Sequence, residues 1–339
     1  MHAETIAGGA GIKHTGPRAP RLLADVGGTN VRFALESVPG RFEAPWLASC
    51  RSYPTLEAAL AHYLAQADSV AAGAAQVRAA AIAIATPVEG DMVRMTNHHW
   101  QFSIAALRIR FGWDTLLVVN DFKALANALP LLSPQQKRQV GGVAAKAGAA
   151  IGLLGPGTGL GVSALLPAGE RWLALDSEGG HGSFSPVNEG EIAILHFARR
   201  RHFHVSFERL LSGPGLVLIY DALAEQAGGM HEKLAAPEIL ERGLQAQDPL
   251  CGRTLEMFCE MLGTLAANLA ITFGARGGMY IGGGIVPRMG DYFAQSGFRL
   301  RFEQKGRFSG YLAQIPVWVI TEAQPTLIGL AALLAQALP

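Results

Sequence analysis

LLADVGGTN, residues 22–30, decides the fold. The apolar run 22–26 reads as a buried strand. It meets Gly27-Gly28-Thr29-Asn30, after which Val31, Phe33 and Leu35 alternate with Arg32, Ala34 and Glu36. That pattern is strand, glycine turn, strand. Consecutive glycines let backbone approach a ligand and aim several N–H groups at one point, which phosphate oxygens require. The Thr29 hydroxyl adds a donor, and Asp25 at the strand end is a carboxylate of the kind that holds the hydration shell of Mg²⁺. An ordinary tight hairpin would also use Asp and Gly, so this turn alone leaves both readings open.

The same pattern returns later in the chain. Residues 150–154 form an apolar run, GPGTG (155–159) a glycine turn, and residues 160–166 a second strand. The repeat of strand, Gly-Thr turn, strand hints at internal duplication. Two turns of this kind, each between buried strands, could face each other across a cleft. No lysine follows either set of glycines and a strand comes next, which excludes a Walker loop and a dinucleotide fingerprint. Phosphate charge would then fall to backbone N–H groups and a metal ion. A third run, Gly282-Gly283-Gly284, lies between the short strand 279–281 and an expected helix, where it could admit an adenine or ribose close to backbone.

Around these turns strands alternate with helices. Strands are expected at 42–53, 77–85, 116–119 and 317–320. Helices are expected at 56–70, from a Ser103 cap to Phe111, at 122–129, 255–273 and 325–338. Asn188 and Glu191 resemble a capping box for a helix to Arg200, and Pro214 begins another. Residues 130–148 read as a polar crossing between two lobes. The predicted class is α/β, with a mixed sheet in the first lobe. Residues 1–20, rich in Gly, Ala and Pro, read as a flexible extension without the apolar segment of a signal peptide.

Two polar knots complete the candidate chemistry. Asn120-Asp121 closes the apolar run 116–119, at the strand end where ligands of α/β sheets gather. A carboxylate there can accept a proton from an attacking hydroxyl, and the asparagine offers donor and acceptor. Asp121 could instead simply cap the following helix. Glu178 and His181, spaced by two glycines, can bind neighbouring hydroxyls, although the segment could be a solvent loop. Glu208 is another acid, near a helix start where the macrodipole alone would favour one. His98-His99 lack a second ligand pair at metal spacing.

Composition bounds the function. The 339 residues are half apolar and carry a formal net charge of +1. No basic stripe points to nucleic acid, and no uninterrupted apolar run reaches the roughly 20 residues of a membrane helix. Cys50, Cys251 and Cys259 form no C-x-x-C pair and read as reduced thiols of a cytoplasmic protein.

Taken in order, LLADVGGTN, AIATPVEG (83–90), MTNHHW (95–100), VVNDF (118–122), GPGTGLGV (155–162), SEGGH (177–181), FERLLSGPGL (207–216), GGGIVPR (282–288) and GFRLRFEQKGRF (297–308) resemble the bacterial glucokinase family, within the actin-like (ribonuclease H-like) sugar kinase fold. The resemblance implies ATP-dependent phosphorylation of glucose to glucose 6-phosphate in a cleft between two lobes. It makes Asp121 the general base for the 6-hydroxyl, and Asn120, Glu178, His181 and Glu208 the ligands of the other hydroxyls. ATP phosphates would lie on Ala24, Asp25, Val26, Gly27, Gly28 and Thr29 and on Gly157, Thr158 and Gly159, with adenosine beside Gly282, Gly283 and Gly284. Mg²⁺ would be held through water by Asp25. The small lobe would comprise residues 21–131 completed by 322–339, the large lobe 132–321, and the assembly would be a homodimer. Ala24 and Ser177 stand where many relatives have glycine. A broader hexose or N-acetylhexosamine kinase is the nearest alternative, but its zinc motif C-x-C-G-x-x-G-C has no counterpart here. A sugar-binding regulator without catalysis is the alternative of another class. It calls for a helix-turn-helix that the short Gly/Pro-rich N-terminus does not offer.

Overall fold

The computed structural model describes residues 19–96, 98–228 and 232–338. Most of the expected N-terminal extension (residues 1–18), and Asn97 of the MTNHHW segment, lie outside the described residues.

The chain opens as an antiparallel meander: β1 (Arg21–Val26), β2 (Asn30–Val38) and β3 (Arg41–Ser49). The helix expected over 56–70 is two helices, α1 (Leu56–Leu64) and α2 (Ala67–Ala71). Strand β4 (Ala79–Ile84), buried at every residue, pairs parallel to β1. A small ribbon of β5 (Met92–Arg94) and β6 (Gln101–Ser103) leads into α3 (Ile104–Phe111), capped by Ser103 as expected. Strand β7 (Thr115–Asn120) then pairs parallel to β4, and α4 (Asp121–Ala128) follows without a linking residue. The first sheet therefore runs β3-β2-β1-β4-β7.

The polar crossing contains a short edge strand, β8 (Lys137–Gln139), that was not expected. Then the layout repeats. Strands β9 (Ile151–Pro156), β10 (Leu160–Ala168) and β11 (Arg171–Leu175) form a second antiparallel meander. The following helices are α5 (Glu189–Arg199), α6 (Phe207–Leu210), α7 (Gly213–Gln226), α8 (Ala236–Leu244) and α9 (Pro249–Phe273). Next comes β12 (Met279–Ile281), parallel to β9, and then α10 (Val286–Met289), α11 (Asp291–Gln295), α12 (Phe298–Glu303) and α13 (Ser309–Ala313). Strand β13 (Val317–Ile320) pairs parallel to β12, and α14 (Pro325–Ala337) ends the chain. The second sheet runs β11-β10-β9-β12-β13-β8. Its first five strands repeat the order and directions of the first sheet, so the duplication hinted at by the two Gly-Thr turns is a duplication of topology.

Packing fixes the two halves in place. Helix α14 returns to lie on α4, and Gly329 sits so close to the Ala124 carbonyl that a Cβ there would be 1.8 Å from the oxygen. Helix α9, six residues longer at its start than expected, is long and apolar enough to cross a membrane by composition, yet 78% of its most apolar window is buried inside the protein. It forms the floor of the larger core with α7 and α12. At the start of α5, Asn188 caps through the Glu191 N–H (2.9 Å), but the Glu191 carboxylate accepts from the Val187 N–H and the Asn188 side chain rather than from the Asn188 backbone N–H that would close the expected box. Glu191 Oε1 meets Arg301 at 2.6 Å, and Arg301 also holds Glu260. A fully buried carboxylate needs such partners. This gives the GFRLRFEQKGRF segment a structural part.

Candidate active site

Both meanders end their first hairpin in a three-residue turn. In one, the Gly27 N–H donates to the Asn30 carbonyl at 2.9 Å; in the other, the Gly157 N–H donates to the Gly159 carbonyl at 2.8 Å. Between them lies a cleft of about 360 Å³. Its walls include Gly27, Gly28, Asn120, Asp121, Gly157, Thr158, Gly159, Glu178, His181, Glu208 and Gly283. Residues that the sequence scatters over about 250 positions thus share one cavity.

The hairpin and the candidate base meet through glycine. Gly155 and Gly161 are partners across β9 and β10, and the ring of Phe122 lies over them. A Cβ on Gly161 would stand 2.1 Å from that ring. The bare strip lets α4 dock against the second hairpin, which carries Asp121 at its first turn to the turn 157–159. The helix cap is Asn120, not Asp121. Its Oδ1 accepts from the N–H groups of Phe122 (2.9 Å) and Lys123 (3.2 Å), so Asn120 has its Nδ2 donor to offer a hydroxyl. The Asp121 carboxylate shares the Phe122 N–H at 2.9 Å. Burial, the nearby charge of Asp25 and, more weakly, that of Glu178 push its pKa up to about 7, outweighing that hydrogen bond. A carboxylate with its proton affinity tuned near neutrality is matched to proton transfer at neutral pH.

Across the cleft, Glu178 precedes a single turn of 3-10 helix, Gly179–His181. His181 Nε2 stands 3.8 Å from Glu178 Oε2 and 3.8 Å from Glu208 Oε1. Those gaps are too long for direct hydrogen bonds, and a hydroxyl can bridge each pair only from the side facing the cleft. Glu208, in the first turn of α6, also accepts from the Leu160 N–H at 2.9 Å.

Not every expected residue lines the cavity. Ala24 and Val26 are ladder residues of the central strand β1, with side chains wholly in the core. Thr29 is exposed, and Gly282 is held by its N–H to the Leu154 carbonyl at 2.9 Å. The Gly282-Gly283-Gly284 turn nevertheless rests on the second hairpin, since a Cβ on Gly157 would lie 3.7 Å from the Gly284 nitrogen. Asp25 pairs with Arg32 across the hairpin at 3.4 Å, and burial holds its carboxyl above the usual range despite that partner. Asp25 is not on the cavity wall, but its charge lies near enough to raise the Asp121 pKa. A divalent cation relieves that kind of repulsion, and carboxylate oxygens are the ligands Mg²⁺ takes, so the donor set fits it. The wall residues that the sequence reading did not assign to the site include Thr86, Thr96 and Phe122. Thr86 Oγ1 bonds Thr96 Oγ1 (2.9 Å) and the Arg94 carbonyl (3.2 Å). The AIATPVEG and MTNHHW segments contain these threonines and were the available signal.

A larger cavity of about 670 Å³ lies between β2 and α14. Its polar lining is paired internally, Arg21 with Glu36 and Gln136 with Glu322 (2.6 Å), and the rest of its wall is apolar or glycine. It lacks the convergent unpaired groups of a reactive site.

The glucokinase family model matches residues 22–337. This chain belongs to the glucokinase family. It is 56% identical over 316 residues to a glucokinase of Chromobacterium violaceum, a match covering 93% of this chain and 89% of that one. It is 53% identical over 323 residues to a bifunctional protein of Burkholderia pseudomallei, of which it spans only about half (49%). The crystal structure of a glucokinase from an Antarctic psychrotroph superposes with a TM-score of 0.83 at 36% identity, covering 94% of this chain and 99% of that one. The two-lobed sugar kinase fold expected from the nine sequence segments is therefore the fold of this glucokinase-family chain.

Proposed function

We propose that this chain transfers the γ-phosphoryl group of ATP to the 6-hydroxyl of glucose, with Asp121 as general base. The observation that carries the reading is the placement of Asp121, its pKa pushed up to about 7, in one cavity with both glycine turns and with Glu178, His181 and Glu208. Family membership supports the substrate. In the reaction the Asp121 carboxylate takes the hydroxyl proton as O6 attacks phosphorus; the O6–P bond forms and the bond from phosphorus to the β–γ bridging oxygen breaks, releasing ADP. Asn120, Glu178, His181 and Glu208 hold the remaining hydroxyls and so orient O6. Backbone N–H groups of the turns 27–29 and 157–159 stabilise charge on the phosphoryl oxygens, and the turn 282–284 receives the adenosine. Asp25 would hold Mg²⁺ through water, and that ion supplies neutralisation of phosphate charge.

In this reading the lobes are residues 21–131 with 322–339, and residues 132–321. The docking of α14 on α4 supports that division. Their closure on glucose excludes water and limits ATP hydrolysis. The three buried free cysteines agree with a cytoplasmic setting. A coupled assay over a panel of hexoses and nucleotides tests the proposal. Glucose with ATP should give the highest kcat/KM and glucose 6-phosphate as product; a chain that prefers another sugar, or turns over none, refutes it.

A further inference from the structure

We infer that Glu208 is a positioning residue for the phosphate turn 157–159 as well as a hydroxyl ligand, so that one carboxylate ties the sugar site to the nucleotide site. The inference rests on the roles proposed above for that turn and for the sugar pocket. Its observation is that the two oxygens of Glu208 face different ways. Oε1 looks toward His181 Nε2 at 3.8 Å. Oε2 accepts from the backbone N–H of Leu160, the residue that closes the turn, at 2.9 Å. The contact is close: a Cβ on Gly159 would stand 2.6 Å from Oε2.

The chain around Glu208 is built to hold it there. Helix α6 is capped by Ser206, whose Oγ accepts from the Arg209 N–H at 3.3 Å. The Phe207 N–H donates to the Gly182 carbonyl at 2.9 Å, anchoring the helix to the segment that follows His181. Five residues beyond Glu208, the Gly213 N–H donates to the Gly157 carbonyl at 2.8 Å. Residues 206–213 therefore grip the turn at both ends, at Gly157 by backbone and at Leu160 by carboxylate. With 29% of its side chain exposed, Glu208 makes the Leu160 bond largely out of water, where a charge-assisted hydrogen bond is stronger than a neutral one. A sugar hydroxyl arriving at Oε1 completes the coordination of the same group that fixes the turn. Sugar and nucleotide then favour the same Glu208 position, and by linkage each raises the other's affinity.

Calorimetric titration of the full chain with AMPPNP and Mg²⁺, without sugar, tests this. Glu208→Ala should weaken nucleotide binding about tenfold, the effect expected for loss of one charge-assisted bond that orders the site. Glu208→Gln should recover part of it, to within about threefold of wild type, because the amide oxygen can still accept from the Leu160 N–H but without the charge, while glucose binding stays weak. Gly159→Ala reads the same contact from the other side, since its methyl displaces Oε2 with the carboxylate intact; it too should weaken nucleotide binding about tenfold. A Glu208→Ala chain that binds AMPPNP like wild type, losing glucose affinity alone, overturns the inference. So does a Glu208→Gln chain as weak for nucleotide as Glu208→Ala. Wild type that binds nucleotide and no hexose overturns the proposed sugar instead, and the sugar-free titrations still decide the part of Glu208.

Discussion

Replacing Asp121 with asparagine should make the protein more stable at alkaline pH while disabling it. The Asp121 carboxyl has an ordinary pKa of 3.8 and is pushed up to about 7 by burial first and Asp25 second. The folded chain therefore keeps a proton that the unfolded chain releases. Stability associated with that proton is fully present below about pH 4 and is lost as pH rises through about 7. At about 1.4 kcal/mol per pH unit, the gap is worth about 4 kcal/mol at most. The cleft side of the group is open to water, which brings the expected figure to about 2–3 kcal/mol. The substituted amide keeps an oxygen for the Phe122 N–H and removes the charge. Unfolding entropy of ~2.1 cal/mol/K per residue converts ~3 kcal/mol to a rise in Tm of ~4 °C for a chain of this length. Scanning calorimetry at about pH 8 should show that rise, and at about pH 4 the two proteins should melt together. A variant that melts at or below wild type at alkaline pH, or by the same margin at both, refutes the reasoning.

Other outcomes follow from the same geometry. In the free enzyme, kcat/KM should climb with pH to a plateau with an apparent pKa near 7, since the base must be ionised, and Asp25→Asn should move that limb to lower pH. An acid limb near 4–5 in wild type contradicts this. Glu178→Gln should raise the KM for glucose about tenfold or more and that for ATP little, as fits a charged hydrogen-bond partner of a hydroxyl; equal effects on both would make the segment a structural loop. Gly283 has φ +76°, and a Cβ there would lie 2.3 Å from the Pro156 carbonyl oxygen. Gly283→Ala should therefore cost about 2 kcal/mol or more, lower Tm by about 3 °C, and raise the KM for ATP while glucose binding persists; unchanged ATP kinetics would separate that turn from the nucleotide.

The hairpins were legible because their chemistry is local: a glycine turn between two apolar runs needs nothing distant to explain it. Repetition of the turn exposed the duplicated topology for the same reason. Edge elements were harder. Strand β8 is Lys-Arg-Gln, with no apolar face, and is defined only by its antiparallel pairing with β13, a long-range contact. Strand β11 is half-exposed and carries only a weak alternation. The break between α1 and α2 falls at Ala65-Gln66, with no proline or glycine to mark it. The early start of α9 did have a signal, since Asp248 caps through two N–H groups and Pro249 occupies the first turn. In the site, Asp121 and Asn120 were equally plausible caps by residue type, and only the backbone geometry assigns the cap to Asn120. Glu208 is a further case. Its position near a helix start explains an acid without any ligand, and only the fold brings Leu160 beneath it.

The proton acceptor is the group on which the mechanism turns. Turnover of glucose with ATP and glucose affinity should be measured side by side for wild type and Asp121→Asn. A loss of about a thousandfold in kcat, with glucose still bound within a few-fold of wild-type affinity, is the predicted result. A variant that retains turnover within about tenfold of wild type would contradict it.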